Sequence, residues 1–294
     1  MEEKITYAKA EKERVDLFLA AAFKDYSRSY FQKLTEKGKV FVNGKVVLSS
    51  HKLKEGDEIT VEFEKEESFE GIKPEKIKID VIYEDDDIIL INKQPGIVVH
   101  PSYGHPSGTL LNALMFHAKG KFSPYMVHRL DKDTSGIIIF AKNERAKISI
   151  SKQLQKRVIK KIYYAAVKGT VVENKGRIEA PLGRSKENRK IMSVNPTAKK
   201  MAITEFKVIE RKGDFTLLEI RIITGRTHQI RSHMKYINHP VVGDVQYGGP
   251  EKADGKEFKR QMLHAHNVTF THPKTCKSVT FYAELPSDMK SLFK

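Results

Sequence analysis

Apolar positions along the chain fall into short periodic clusters separated by polar turns. Val15, Leu19 and Ala22 recur at i, i+4 and i+7, with Phe18 beside them, which predicts a helix with one buried face. A second helix is expected from a cap at Ser27 or Ser29 to about Lys37, burying Phe31 and Leu34 and ending at Gly38. Val40-Phe41-Val42 and Val46-Val47 flank Asn43-Gly44, a dipeptide that accepts the positive φ angles of a tight hairpin turn. Gly56-Asp57 then turns the chain into a strand over 58–63. Residues 14–63 therefore read as one small module. Residues 64–76 are charged and without period, so they read as a linker.

Residues 77–294 alternate strands with few helices. Strands are expected at 81–83, 88–91, 136–140, 162–167, 204–210, 215–223, 264–270 and 278–282, with helices at 110–117, from Asn143 to about Gln155, and at 227–237. The run 136–140 is wholly apolar and predicts a strand covered on both faces. In 215–223, Leu218, Ile220 and Ile222 alternate with Glu219 and Arg221, as in a strand with one wet face. In 227–237, Ile230, Met234 and Ile237 would face the core, while His228, Arg231 and Lys235 would face outward. The fold class is α+β, on a mainly antiparallel mixed sheet.

Charge changes the picture. The 294 residues carry a net charge of +16. Residues 1–70 hold 13 basic and 15 acidic side chains, and residues 71–294 hold 40 and 22. The acidic part contains one basic stretch, 28–54, with seven Lys and Arg and the single acid Glu36. Two basic surfaces of this kind point to a polyanionic partner, nucleic acid above all. One cysteine, Cys276, excludes a disulfide framework and a multi-cysteine zinc site. The start MEEKITYAKAEKERVD has no apolar core, and the longest apolar runs, 17–23 and 136–141, fall far short of the roughly 20 residues needed to span a bilayer. A cytoplasmic protein that makes no membrane contact is expected.

The most informative segment is His128-Arg129-Leu130-Asp131-Lys132-Asp133-Thr134-Ser135-Gly136. It places Asp131 in a polar loop just before a buried strand, where a carboxylate can be held rigidly at a cleft floor. The neighbouring His128, Arg129 and Lys132 favour its charged form, as a nucleophile or base requires. On spacing alone the same residues are equally readable as a capping turn. HRLDKDTSGIIIFAK, however, resembles the signature of the RluA-type pseudouridine synthases. INKQPGIVVHP at 91–101 is similar to that family's N-K-P-x-G-x-x-V-H-P stretch, with Gln94 inserted between Lys93 and Pro95. TGRTHQIR at 224–231 resembles its third block, followed by His239-Pro240 and Gly243-Asp244. The resemblance spans about residues 78–285 and implies the pseudouridine synthase fold.

It also implies roles. Asp131 would be the nucleophile. Arg129 would enter the RNA in place of a flipped-out uridine. Tyr163 would stack on the target base, with Tyr164 on the opposite face of the strand. Arg226 would pair with the catalytic carboxylate. Residues 14–63 are similar to the S-four RNA-binding module, through Arg14–Leu19, Ser27-Arg28-Ser29, GKVFVNGK at 38–45 and Gly56-Asp57. Arg14, Arg28, Lys33, Lys37 and Lys45 would meet phosphates there, and His228 and Arg231 are read either as phosphate contacts or as buried supports. The isomerisation oxidises nothing and loses no group, so no cofactor is expected; the scattered histidines, His228, His233, His264 and His266, show no metal-ligand spacing. The expected protein is a monomer acting on structured RNA, with large-subunit ribosomal RNA implied by the resemblance. Rival readings are a synthase acting on transfer RNA, a non-catalytic ribosome-assembly factor using the same surfaces, and a metal-dependent nuclease.

Overall fold

The computed structural model describes residues 2–23, 26, 28–63, 72–102, 104–185, 187–188, 191–253 and 255–292. The chain divides into two compact units, Met1–Gly71 and Ile72–Lys294.

The first unit runs β1 (Glu2–Thr6), α1 (Val15–Ala22), α2 (Arg28–Glu36), β2 (Val40–Val42), β3 (Lys45–Val46) and β4 (Glu58–Glu62). Its antiparallel sheet has the order β1-β4-β2-β3. The Asn43-Gly44 turn has φ of 50° and 73°, the left-handed pair that joins β2 to β3. Val15, Leu19, Phe31, Leu34, Val40, Ile59 and Val61 form the core. β1 lies outside the module as read from sequence, because EEKIT looks like a charged tail until it pairs with β4 from Glu2↔Glu62 to Thr6↔Glu58. Tyr7, fully buried, follows it into the core. Ser29 lies within α2 rather than capping it, and Ser27 lies outside the described residues.

The second unit continues β5 (Val81–Glu84), β6 (Ile88–Lys93), α3 (Leu110–Ala118), β7 (Tyr125–Met126), β8 (Ser135–Ala141), α4 (Glu144–Gln155), β9 (Lys160–Lys168), β10 (Lys175–Arg184), β11 (Met192–Val194), β12 (Met201–Lys212), β13 (Phe215–Ile222), α5 (Gln229–Tyr236), β14 (Lys252–Ala253), β15 (Lys256–Glu257), β16 (Leu263–Thr271), β17 (Ser278–Tyr282) and α6 (Ser287–Lys290). One eleven-stranded sheet has the order β11-β10-β12-β13-β9-β16-β8-β6-β5, with β17 on β16 and β7 on β8. Its pairs are antiparallel except β8 with β16. All seven residues of β8 are buried, as the apolar run predicts. Gly136 at φ 109° lets β8 press against β16, since a Cβ there would sit 2.2 Å from the Ala265 carbonyl oxygen. Asn143 caps α4 by accepting from the Ala146 N–H.

Of the expected linker, 64–71 lies outside the described residues. Residues 72–76 are stitched to α3: Asn112 donates its side-chain amide to the Lys73 carbonyl, and the Glu75 N–H donates to the Asn112 carbonyl. β10 and β11 went unrecognised in the sequence. Among the described residues, no helix is long and apolar enough to cross a membrane.

Candidate active site

A cavity of about 450 Å³ lies over β9 in the middle of the large sheet, between the C-terminal end of α4 and the start of α5. The 127–134 loop forms one wall, Leu154 to Ile159 a second, and the 223–231 segment a third; Lys161 and Tyr163 of β9 line it from the sheet. It holds one carboxylate, Asp131, against five cations, Arg129, Arg157, Lys161, Arg226 and Arg231.

The loop bearing Asp131 is pinned from two sides. The fully buried Lys93 donates its ammonium to the carbonyls of Gln94, Ile97 and Lys132. That joins the 91–101 motif to the 128–136 motif, and the Gly96 N–H adds a second bond to the Lys132 carbonyl. Burial pushes the Lys93 ammonium down to about 7. On the other side, Arg260 donates to the Asp133 carbonyl and is itself clamped by Asp288 of α6. Gln261 donates to the Thr134 hydroxyl. Held at both flanks, the Asp131 carboxylate has little freedom to turn away, as a reacting group requires.

The guanidinium that meets it is Arg231, which corrects the expectation for Arg226. Arg231 Nη1 is 3.1 Å from Asp131 Oδ2, while Arg226 Nε donates to the Met201 carbonyl. Arg231 is buried rather than outward-facing, because α5 is enclosed on more than one side: Gln229 to Met234 are all buried. Asp244 grips Arg231 by Nε and Nη2 at 2.6 and 2.9 Å, and the Tyr247 ring lies 4.6 Å from the guanidinium carbon. Burial lowers the Arg231 pKa, and the two carboxylates, Asp244 foremost, outweigh it and raise it. Gly243, at φ 77°, makes the grip possible: a Cβ there would collide with the Arg260 carbonyl at 1.9 Å.

His228 opens α5 in a left-handed conformation, φ 52°, which is unusual for a side chain with a Cβ and is a sign of local constraint at a site. The Tyr247 hydroxyl accepts from the Met192 N–H and shares a hydrogen bond with His228 Nδ1 at 2.9 Å. The other nitrogen, Nε2, lies 3.9 Å from Asp131 Oδ1. His228 is half-buried beside this carboxylate and is held below the usual imidazole range mainly by burial. His128, just before Arg129, accepts from the Ile139 N–H through Nε2; burial and then Lys161 push it down to about 3, so it is neutral. His233 and His264 are occupied by Thr204 with the Ala180 carbonyl, and by Ser135 with the Ala283 carbonyl, respectively.

Tyr163 is buried at the cavity, its hydroxyl held protonated by burial and by the nearby Asp131 charge. Tyr164 points to the other face and stacks on His266 at 4.3 Å. Arg129 is exposed at the mouth. His128, expected to favour the charged form of Asp131, is instead neutral and turned to the Ile139 N–H. The residues to which the sequence reading gave no role are Lys93, Lys161, Asp244, Tyr247 and Arg260. Two of them carried a signal, Lys93 within the 91–101 motif and Asp244 in its Gly-Asp dipeptide downstream of the third block.

In the first unit, Arg14 and Arg28 are not the free phosphate ligands expected. Both donate to Asp16, as does Gln32, and the Asp16 side chain is 0% exposed. Burial pushes the Asp16 carboxyl up, and these hydrogen bonds outweigh it, holding it well below the usual carboxylate range. The two guanidiniums remain 37% and 46% exposed, so they are fixed in place with N–H groups still facing water. Lys33, Lys37 and Lys45 are exposed.

Comparison with known proteins was made against this geometry. A family described as RNA pseudouridylate synthase matches residues 87–236, and one described as S4 domain matches residues 13–59. The chain is 43% identical to the RNA pseudouridine synthase YlyB of Bacillus subtilis (strain 168), over 99% of this chain and 96% of that one. It is 40% identical to the ribosomal large subunit pseudouridine synthase D of Vibrio cholerae, over 94% and 89%. In fold it is similar to human RNA pseudouridylate synthase domain containing 4, with a TM-score of 0.60 at 20% identity over 72% of this chain and 90% of that one. Human RNA pseudouridylate synthase domain containing 1 gives 0.59 at 25%, over 74% and 86%.

Proposed function

Because the chain belongs to the RNA pseudouridylate synthase family and bears an S4 domain, and is thus an isomerase that turns uridine into pseudouridine in RNA, we propose that its substrate is structured large-subunit ribosomal RNA and that Asp131 is the nucleophile. The ribosomal assignment is supported by the name of the Vibrio relative. It acts, on this reading, as a cytoplasmic monomer.

One observation carries the catalytic reading: a single carboxylate, fixed by a buried arginine, stands in a cavity whose other charged residues are cations and whose sheet side presents a tyrosine. The cations match a polyanion, whose phosphates draw in the strand. A uridine inside a stem must first leave the stack, which costs a few kcal/mol. Stacking on Tyr163 would offset on the order of 1–3 kcal/mol of that, and Arg129, exposed at the mouth, would fill the vacated position.

In the reaction the N1–C1′ bond breaks, the uracil turns, and a C5–C1′ bond forms; the C5 proton leaves and N1 gains one. Asp131 starts this by attacking the sugar, adding to the ring, or taking a ribose proton. Each route needs a carboxylate oxygen next to the glycosidic bond; Arg231 holds the Asp131 carboxylate on one side while the other side faces the cavity.

Release of tritium from 5-tritiated uridine in unmodified ribosomal RNA tests the reading. Wild type releases label, and Asp131→Asn releases none while binding RNA within a few-fold. Release by Asp131→Asn within tenfold of wild type refutes the nucleophile. Release from transfer RNA alone refutes the ribosomal substrate, and no release from any RNA favours the assembly-factor reading.

A further inference from the structure

Lys161 stands two residues before Tyr163 on β9, so both side chains rise from the same face of the strand into the cavity. Of the neighbouring cations, Arg129 and Arg157 are exposed to water, and the others have partners. Arg231 is shared by Asp131, Asp244 and Gln246, Arg226 donates to Met201, and Lys93 caps three carbonyls. Lys161 has none: among the described residues no hydrogen-bond acceptor and no carboxylate meets its ammonium. The nearest imidazole, His128, uses Nε2 to accept from the Ile139 N–H. Across the cavity the ammonium faces the backbone of the third block, where even a Cβ added to Gly225 would lie 3.4 Å from Nζ. Desolvation with no opposing anion pushes Lys161 down to about 8. An ammonium taken partly out of water and left without an acceptor destabilises the empty protein. In a strand position beside the base platform, such a group is suited to a ligand that brings its own negative charge.

We propose that Lys161 contacts the substrate, its ammonium receiving an anionic oxygen of the flipped uridine nucleotide. This rests on the pseudouridine synthase reading above. Two oxygens of that nucleotide carry such charge. One is the phosphate at its backbone. The other is on the uracil ring: when the N1–C1′ bond breaks with both electrons passing to N1, the charge spreads onto O2 and O4, and a cation there stabilises the departing ring. Lys161 is thereby a substrate-contact residue that Asp131 chemistry alone would not reveal.

Lys161→Met and Lys161→Arg, compared with wild type in the full-length protein, test this on in vitro transcribed, 5-tritiated large-subunit ribosomal RNA. The single-turnover rate at saturating enzyme, the Kd at several salt concentrations, and the melting temperature without RNA are measured. Lys161→Met is expected to lose on the order of 100-fold in rate or at least tenfold in affinity, while melting at or above the wild-type temperature, because an unpartnered charge has gone. Lys161→Arg is expected to recover most of the loss. A fall in rate with Kd unchanged assigns the contact to the ring. A raised Kd with the salt slope reduced by about one charge assigns it to the phosphate. Lys161→Met within threefold of wild type in both rate and Kd overturns the proposal, as does a lower melting temperature with activity lost in proportion in both variants. If wild type itself releases no tritium, the parent reading fails instead, so the two failures are distinguishable.

Discussion

Arg231→Met removes two interactions with different consequences, and a second substitution separates them. The side chain is 6% exposed, with one edge on Asp244, itself 1% exposed, and one nitrogen on Asp131. Losing the guanidinium leaves Asp244 charged and buried. Breaking one partner of such a pair costs about 3–5 kcal/mol. The lower end applies here, because the exposed Gln246 amide beside it can turn to donate. About 3 kcal/mol corresponds to a fall of roughly 6–12 °C in melting temperature for a domain of this size. The catalytic loss is separate. A charge-assisted hydrogen bond of the Arg231–Asp131 kind contributes about 1.5–3 kcal/mol, or roughly 10- to 150-fold in rate if it is needed in the transition state. In Arg231→Met/Asp244→Asn both buried charges are gone, so most of the stability returns and the rate does not. The assay is thermal melting beside single-turnover tritium release. A double variant that regains the wild-type rate within threefold refutes the claim that Arg231 acts through Asp131. A single variant that melts with wild type refutes the dependence of Asp244 on it.

Two further outcomes follow from the buried charges. Asp16→Asn raises the net charge by one, which by simple electrostatics tightens RNA binding, yet it frees Arg14, Arg28 and Gln32 from their common anchor. The expected result in filter binding is a weakening of roughly tenfold, the loss of about one hydrogen bond to a charged group; tighter binding would show that placement of the arginines is unimportant. For His128, the folded imidazole is held at about 3, below its unfolded value. As pH falls below about 6.5 the unfolded chain takes up a proton that the folded protein refuses. Its contribution to stability is therefore complete above that value and is lost on the way down to about 3. His128→Gln, whose amide oxygen can still accept from Ile139, should flatten urea-denaturation stability against pH between 6.5 and 4 by about 1.4 kcal/mol per pH unit. An unchanged slope counts against a buried neutral His128.

What the chain announces by itself is local. The β8 run, the Asn143 cap, the Asn43-Gly44 turn and the alternation in β13 each depend on spacings of one to four residues, so they are legible before any packing is known. Three ordered motifs, at 91–101, 128–136 and 224–231, likewise show the family, because each is a run of residue types legible in sequence. The partner of Asp131 is not legible in this way. Arg226 and Arg231 stand five residues apart in one block, and the choice between them depends on the turn at His228 and on Asp244 arriving from beyond the helix. β1 had the same difficulty, since EEKIT acquires a strand's hydrogen bonds only from β4, more than fifty residues away. Lys161 looks like any lysine in a basic chain until the fold leaves it without an acceptor. Sequence periodicity determines which face of an element is apolar; which charge meets which is decided by packing between segments a hundred residues apart, because a Coulombic contact depends on distance in space and on burial, neither of which a linear pattern contains.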